Sequence, residues 1–369
     1  MAPSLFELIN VNSKDEVDEG AVIQAAQQNP EDLDQIFEFD VSRYLVETQV
    51  CPLHKAIELE LSTDVIASLI STFAIRQKVN LGWTVLHWIC RTGNPSYETL
   101  SVVLDAWPDA AREKDRHGYT PLHFICDNKS ASLEMLGVVL NAWPDAAREN
   151  AGSAGTPLHL ICINESASLE MLSAVLNAWT EAAREKDRYG WTPLHNICIN
   201  ESASLETLSV VLNAWPEAAR EKDEDSWNPL HLICTNESAS LKMVQMITGE
   251  WVKGKENRTS HSVTSLISKM EQEDEVIRDD IKQLLHHLSF LFGESNQSNP
   301  SHRDIMTDFI NTNWWNGVWL VINRHPSIAK TMKMQTIVMA DFLSIAGKRL
   351  SLSSMTNMIK NEPDLLEGV

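Results

Sequence analysis

Between residues 79 and 251 the hydrophobic and polar positions run through one cycle repeatedly. Thr84, Thr120, Thr156, Thr192 and Asn228 open successive copies, each 36 residues after the last, and Cys51-Pro52-Leu53-His54 is a weaker opening motif 33 residues before Thr84. A fixed period in this range marks a stack of repeats. One copy, "DRYGWTPLHNICINESASLETLSVVLNAWPEAAREK", predicts its elements from local chemistry. Gly190 makes a turn, Thr192 caps a first helix, and Pro193 occupies its first position. The polar stretch Asn200–Ser204 closes that short helix. Ser204 then caps a second helix, with Glu206 set against the dipole. Leu205, Leu208, Val211, Leu212 and Trp215 recur at helical spacing along one face, and Pro216 stops the run. A pair of helices this short cannot bury its apolar face alone, so neighbouring copies must stack.

The opening motif "D-x-x-G-x-T-P-L-H-x-I-C", read at Asp115–Cys126 and Asp187–Cys198, resembles the ankyrin repeat. The usual unit of that family has about 33 residues and the T-P-L-H signature. The departures are regular: each copy is longer, Ile-Cys replaces a small pair, and Trp-Pro follows the second helix in place of a glycine. Ala154 and Ser226 stand where other copies have Gly82, Gly118 and Gly190, so those two turns are expected to be distorted.

The expected fold class is all-α: an ankyrin-type helix-turn-helix solenoid with divergent helical caps at both ends. Residues 1–50 read as an N-terminal capping segment and 51–259 as repeats with opening motifs at 51, 84, 120, 156, 192 and 228. Residues 260–369 read as divergent helical repeats, because "VINRHPSIA" and "MIKNEPDLL" echo "VLNAWPEAA". "IQAAQQNPEDL", ending at Leu33, echoes it too. A flexible break is expected at 292–304, rich in Ser, Asn and Gly.

Composition narrows the function classes. Hydrophobic residues make up 43% and charged residues 22%, a globular balance. The net charge of −21 repels phosphate backbones and anionic membrane, so nucleic acid is not expected as a partner. No apolar stretch is long enough to span a bilayer, and the N-terminus lacks the basic and apolar runs of a signal peptide. A cytoplasmic address is expected, with the nucleus open. In that setting the sequon matches at Asn128, Asn164, Asn200 and Asn236 read as repeated loop residues.

The recurrent histidines, His87, His123, His159, His195 and His231, have a catalytic or metal-binding reading and a structural one. A catalytic imidazole is needed once, in one asymmetric site, so a row in one register favours hydrogen bonding between turns. The row Cys90, Cys126, Cys162, Cys198 and Cys234 follows the same logic. Stacked helices lie roughly 8–10 Å apart, too far for disulfides or zinc ligation without distortion.

Two tryptophan sets differ. Trp107, Trp143, Trp179, Trp215 and Trp251 close the second helix and read as core. Trp83, Tyr119, Trp191 and Trp227 come immediately before the opening Thr or Asn. They are either a partner-facing strip, as the ankyrin resemblance implies, or covers for the neighbouring turn. Around them the tips "RHGY", "GSAG", "RYGW" and "EDSW" vary while the scaffold repeats. Arg116 and Arg188 join the candidate binding residues on that ground.

No phosphate loop, nucleophile elbow or metalloprotease helix is present. The expectation is a non-enzymatic monomer, without cofactor, that binds a partner protein on the concave face. Negative charge favours a partner with a basic or mixed patch. Two other readings stay open: an adaptor whose residues 260–369 dock a second protein, or an activity carried by that segment.

Overall fold

A computed structural model of the chain describes residues 3–39, 49–79, 81–91, 96–273, 275–293, 300–325 and 328. Nearly all of their regular secondary structure is helical; the one sheet among them pairs Phe37–Glu38 with Gln49–Val50, antiparallel. The chain forms two compact units, one of residues 1–218 and 222–226, the other of 219–221 and 227–369. This division falls inside the repeat array, whereas the sequence places a boundary at 260.

In the first unit, α1 (Leu5–Ile9) and α2 (Glu19–Gln28) pack on the first weak repeat, α3 (Pro52–Glu58) and α4 (Thr63–Leu69). The regular repeats follow as inner and outer helix pairs. They are α5 (Val85–Arg91) with α6 (Tyr97–Ala106), α7 (Pro121–Asp127) with α8 (Leu133–Ala142), α9 (Pro157–Ile163) with α10 (Leu169–Ala178), and α11 (Pro193–Ile199) with α12 (Leu205–Ala214). Inner helices stack on inner helices and outer on outer, so each pair buries its apolar side against the next. Leu122, Ile125, Leu136 and Val139 are all fully excluded from solvent.

The second unit holds α13 (Pro229–Thr235) and α14 (Leu241–Trp251), then α15 (Ser260–Gln272) against α16 (Asp279–Phe292) and α17 (His302–Asn311) against α18 (Trp315–Arg324). The Trp314 indole donates to the Gln245 carbonyl at 3.1 Å, tying the last pair to α14. Residues 294–299 of the loop expected at 292–304, together with Pro326 and the 358–366 echo, lie outside the described residues.

Capping follows the sequence at the outer helices: the Ser132, Ser168 and Ser204 hydroxyls accept backbone N–H groups at 3.3, 3.2 and 3.1 Å. Each regular outer helix then closes on a Trp with extended backbone, followed by a single 3-10 turn. Thr180 makes that turn in place of Pro, so the proline is not what shapes it. Asn29, after α2, repeats the geometry with Pro30–Asp34, and His325 ends α18 with φ −133° and ψ 72°.

The Trp set at these ends departs from a uniform core. Trp107 and Trp251 are buried, but Trp143, Trp179 and Trp215 are half-exposed. They sit at the helix rim, where a ring covers its own turn on one side and meets water on the other.

The turns between repeats project as fingers. Gly82, Gly118 and Gly190 take φ of +89°, +85° and +80°, a region that costs L-residues energy. Ser226 keeps this conformation with φ 65°, so its finger is not rebuilt. The Ala154 finger is: residues Gly152–Ala154 wind into a 3-10 turn that begins on Gly152 and is capped by Gly155, both with positive φ.

Candidate binding face

Each regular T-x-L-H motif in the first unit assembles one small hydrogen-bonded device. The Thr120 N–H donates to His123 Nδ1 at 3.1 Å, and its hydroxyl lies 2.8 Å from the same nitrogen. Thr84 and His87, Thr156 and His159, and Thr192 and His195 repeat the arrangement. Thr120, Thr156 and Thr192 are the N-cap residues, as the sequence predicts, and each forms a capping box in which the histidine at the third helical position is the reciprocal partner. Because Nδ1 accepts a backbone N–H, the neutral ring carries its proton on Nε2. That nitrogen faces a carbonyl of the following finger: Tyr119 for His87 at 3.1 Å, Gly155 for His123 at 3.3 Å, and Trp191 for His159 at 3.1 Å. Burial holds His54, His87, His123 and His159 down at about 4 from the usual 6.5. In the second unit Asn228 replaces threonine, and its side-chain oxygen accepts the His231 N–H at 3.1 Å.

The aromatics that precede these motifs lie down along the inner helices. Trp83 is 7% exposed, its indole N–H donating to Asp115 Oδ2 at 3.0 Å and its ring 5.4 Å from Phe124. Tyr119 is half-buried between His123 and Phe124, at 5.6 and 5.5 Å. Trp191 is half-buried against His195 and donates to Asp223 Oδ2 at 3.0 Å. Trp227, in the second unit, lies tilted against His231 at 5.3 Å and under the Lys269 ammonium. Of the two readings left open by the sequence, covering the neighbouring turn describes how Trp83 sits. Tyr119, Trp191 and Trp227 keep one part of each ring in solvent.

The exposed position falls two residues earlier, at the finger tips. Leu81 is 41% and Tyr189 48% exposed, and His117 and Ser153 occupy the same repeat position in solvent. Arg116 and Arg188 are exposed beside them. The sequence carried a signal for this position, because it is the one that varies from Leu to His to Ser to Tyr. The apolar character of the neighbouring rings outweighed it.

The tips are held from below. Asp115 Oδ1 accepts the N–H groups of His117 and Tyr119, both at 2.8 Å; Asp187 does the same for Tyr189 and Trp191 at 2.8 and 2.9 Å. Neighbouring fingers join through Arg116 N–H to Leu81 O at 2.7 Å, Arg188 N–H to Gly152 O at 3.1 Å and Glu224 N–H to Tyr189 O at 3.1 Å.

The cysteines and sequon asparagines lie at the other end of the inner helices. Cys90, Cys126, Cys162, Cys198 and Cys234 are buried free thiols. Burial pushes Cys90, Cys126, Cys162 and Cys234 far above the ordinary thiol range, which leaves no thiolate nucleophile there at neutral pH. Asn128, Asn164 and Asn200 donate to the carbonyls of Cys90, Cys126 and Cys162, each at 2.9 Å, in the preceding repeat. Their oxygens accept the N–H of Ser130, Ser166 and Ser202. Among the described residues no group of three or more His, Cys, Asp or Glu is placed to hold a metal ion, and no helix is long and apolar enough to cross a membrane. In the second unit His287 meets Asp308 at 3.5 Å across α16 and α17.

Paired short helices, a projecting finger before each pair, and a T-P-L-H motif whose histidine bonds the next finger have now all been located. The fold is of the ankyrin-repeat type. No protein-family model matches the chain, and no curated protein does. Among solved structures it is similar to the ankyrin repeat domain of Bcl-3, a unique member of the IkappaB protein family. That likeness has 18% identity and a TM-score of 0.45 over 65% of this chain and 97% of that one.

Proposed function

We propose that the chain is a non-enzymatic interaction module of the cytoplasm or nucleus. It holds a partner protein on its concave face, the side bearing the fingers and inner helices. The observation that carries this reading is the contrast within each repeat: the backbone of the finger is fixed by hydrogen bonds to Asp115 or Asp187 and to the next finger, while the exposed tip differs in every copy. A rigid support with changing side chains is how an ordered surface acquires specificity without a folding cost on binding. Tyr189, Arg116 and Arg188, with the half-exposed rings of Tyr119 and Trp191, are the contact residues of the first unit, and Trp83 supports them from beneath. Tyr, Trp and Arg are the types that dominate hot spots. The net charge of −21 steers in partners with a basic or mixed surface at long range.

The adaptor reading is favoured by exposed apolar side chains in the second unit, where Val276 is 69% and Phe290 38% exposed. Docking there leaves the fingers free, and one experiment separates the two.

The test is photo-cross-linking in cell extract, with benzoylphenylalanine placed at Tyr189, at Val276, or at Glu98 on the exposed outer helix α6. A discrete adduct at position 189 that is absent at 98, and weakened by Tyr119→Ala with Trp191→Ala, is the expected result. Identical adducts at all three positions would remove the finger face from consideration. An adduct only at 276 would favour the adaptor.

A further inference from the structure

The two finger arginines differ from most other cations of the first unit. Lys78 and Lys114 pair with Glu113 and Glu149 of the next connector at 2.7 and 2.5 Å, and Arg112, Arg148 and Arg184 pair within their own turns. Arg116 and Arg188 form no ion pair among the described residues, although acidic residues outnumber basic ones 51 to 30. The reason is geometric. The aspartate beside each arginine is turned inward: Asp115 is spent on two turn N–H groups and the Trp83 indole, and Asp187 on two turn N–H groups.

Both side chains are also pre-positioned. Arg188 lies over the Tyr189 ring at 4.8 Å, and the Arg116 stem runs against Gly82, where an added Cβ would meet its Cγ at 3.3 Å. The finger between them presents only Gly152 and Ser153, so nothing bulky stands in the gap. The next tip along carries Glu224 and Asp225, both exposed.

We propose, building on the binding reading above, that Arg116 and Arg188 grip two carboxylates of an extended acidic segment in the partner protein. Guanidinium groups bind carboxylates in bidentate fashion, which gives position as well as attraction. The two fingers are two repeats apart, roughly 20 Å at ordinary helix spacing, which an extended chain covers in about six residues. Glu224 and Asp225 repel a further carboxylate and so end the acidic stretch. The charge of the whole chain does not forbid this. At physiological salt charges are screened beyond about 8 Å, so contact chemistry at the tips decides over the distant field. A partner with a mixed surface satisfies both: its basic part meets acidic surface elsewhere on the chain and its acidic segment is held at the tips.

The test uses the full chain and three labelled synthetic peptides on a Ser/Gly background, followed by fluorescence anisotropy at physiological salt. One peptide carries two glutamate pairs at the wide spacing argued above. The second has the same composition with the pairs close together, and the third replaces glutamate by lysine at the wide spacing. The expected order is wide glutamate tightest, close glutamate weaker by several-fold, and lysine weaker than the first by about tenfold or more. Arg116→Glu with Arg188→Glu, both at exposed positions and checked for an unchanged melt, should reverse the preference so that the lysine peptide binds better. Arg188→Ala alone should erase the difference between wide and close spacing. Lysine binding as well as glutamate, or glutamate binding untouched by charge reversal, overturns the proposal; so does the absence of binding by any peptide. A cross-link at position 189 that persists in any of these cases leaves the binding reading intact and removes only its acidic ligand.

Discussion

At the scale of single residues, His87, His123 and His159 each do two things at once. Each Nδ1 accepts from the threonine that opens its own helix, and each Nε2–H reaches the next finger, 32 residues ahead. Removing the ring strands both a buried threonine N–H and a carbonyl, and it leaves a hole. His123→Ala is therefore expected to lower stability by about 2–4 kcal/mol in urea unfolding, whereas Thr120→Ser, which keeps the hydroxyl, should cost under about 1 kcal/mol. A loss for His123→Ala no larger than that for Thr120→Ser would mean that neither the ring's packing nor its hydrogen bonds stabilise the repeat. The structural reading of this row was open to the sequence because a repeated register argues against a single active site. The partners were not, since nothing local identifies Gly155 as the acceptor for His123.

Between elements, two ladders join successive repeats, and burial separates their worth. Lys114–Glu149 is an exposed connector pair, with side chains 47% and 26% accessible. Such pairs contribute little once side-chain entropy and salt are counted. Asn164 is 5% exposed and closes the carbonyl of Cys126 in the repeat before it. Lys114→Ala is expected to shift stability by less than about 1 kcal/mol, and Asn164→Ala to cost about 1–3 kcal/mol because a buried carbonyl loses its donor. Comparing urea midpoints of the two variants checks the ranking. Helix starts and stops were legible along the chain, because Ser132, Ser168 and Ser204 act within three residues of themselves. The asparagine ladder was not, because its acceptors lie 38 residues back. The sequence marked these asparagines only as repeated loop residues; the fold gives Asn128, Asn164 and Asn200 an acceptor in the preceding repeat.

At the scale of the whole molecule, the buried imidazoles make stability depend on pH. His54, His87, His123 and His159 are held at about 4 by burial, against 6.5 for the free ring. Between those values the unfolded chain binds protons that the folded chain refuses, so stability rises with pH across the window. It is complete above pH 6.5 and drains away as pH falls toward 4. Each histidine contributes a slope of about 1.4 kcal/mol per pH unit inside the window, and the contributions fall in the same direction. Urea midpoints at pH 7.5, 5.5 and 4.5 should therefore fall steeply, and His87→Gln should flatten the slope relative to the parent. A flat profile across the window would sink this account. Added salt should change the slope little, because desolvation, which salt does not screen, is the largest cause in all four.

The sequence by itself determined the period, the pair of helices in each repeat, their caps, and the opening motif that marks the ankyrin-type fold. All of these follow from residues within a turn or two of one another, where propensity and hydrophobic spacing act directly. Tertiary structure alone decided which rings are covered, which asparagine meets which carbonyl, and that the outward-facing finger position is that of Leu81, His117, Ser153 and Tyr189 and not that of Trp83. It also decided that Asp115 and Asp187 turn inward and leave two arginines unpaired. Exposure and pairing in a stacked array are set by the neighbouring repeat, which is close in space but more than thirty residues away along the chain.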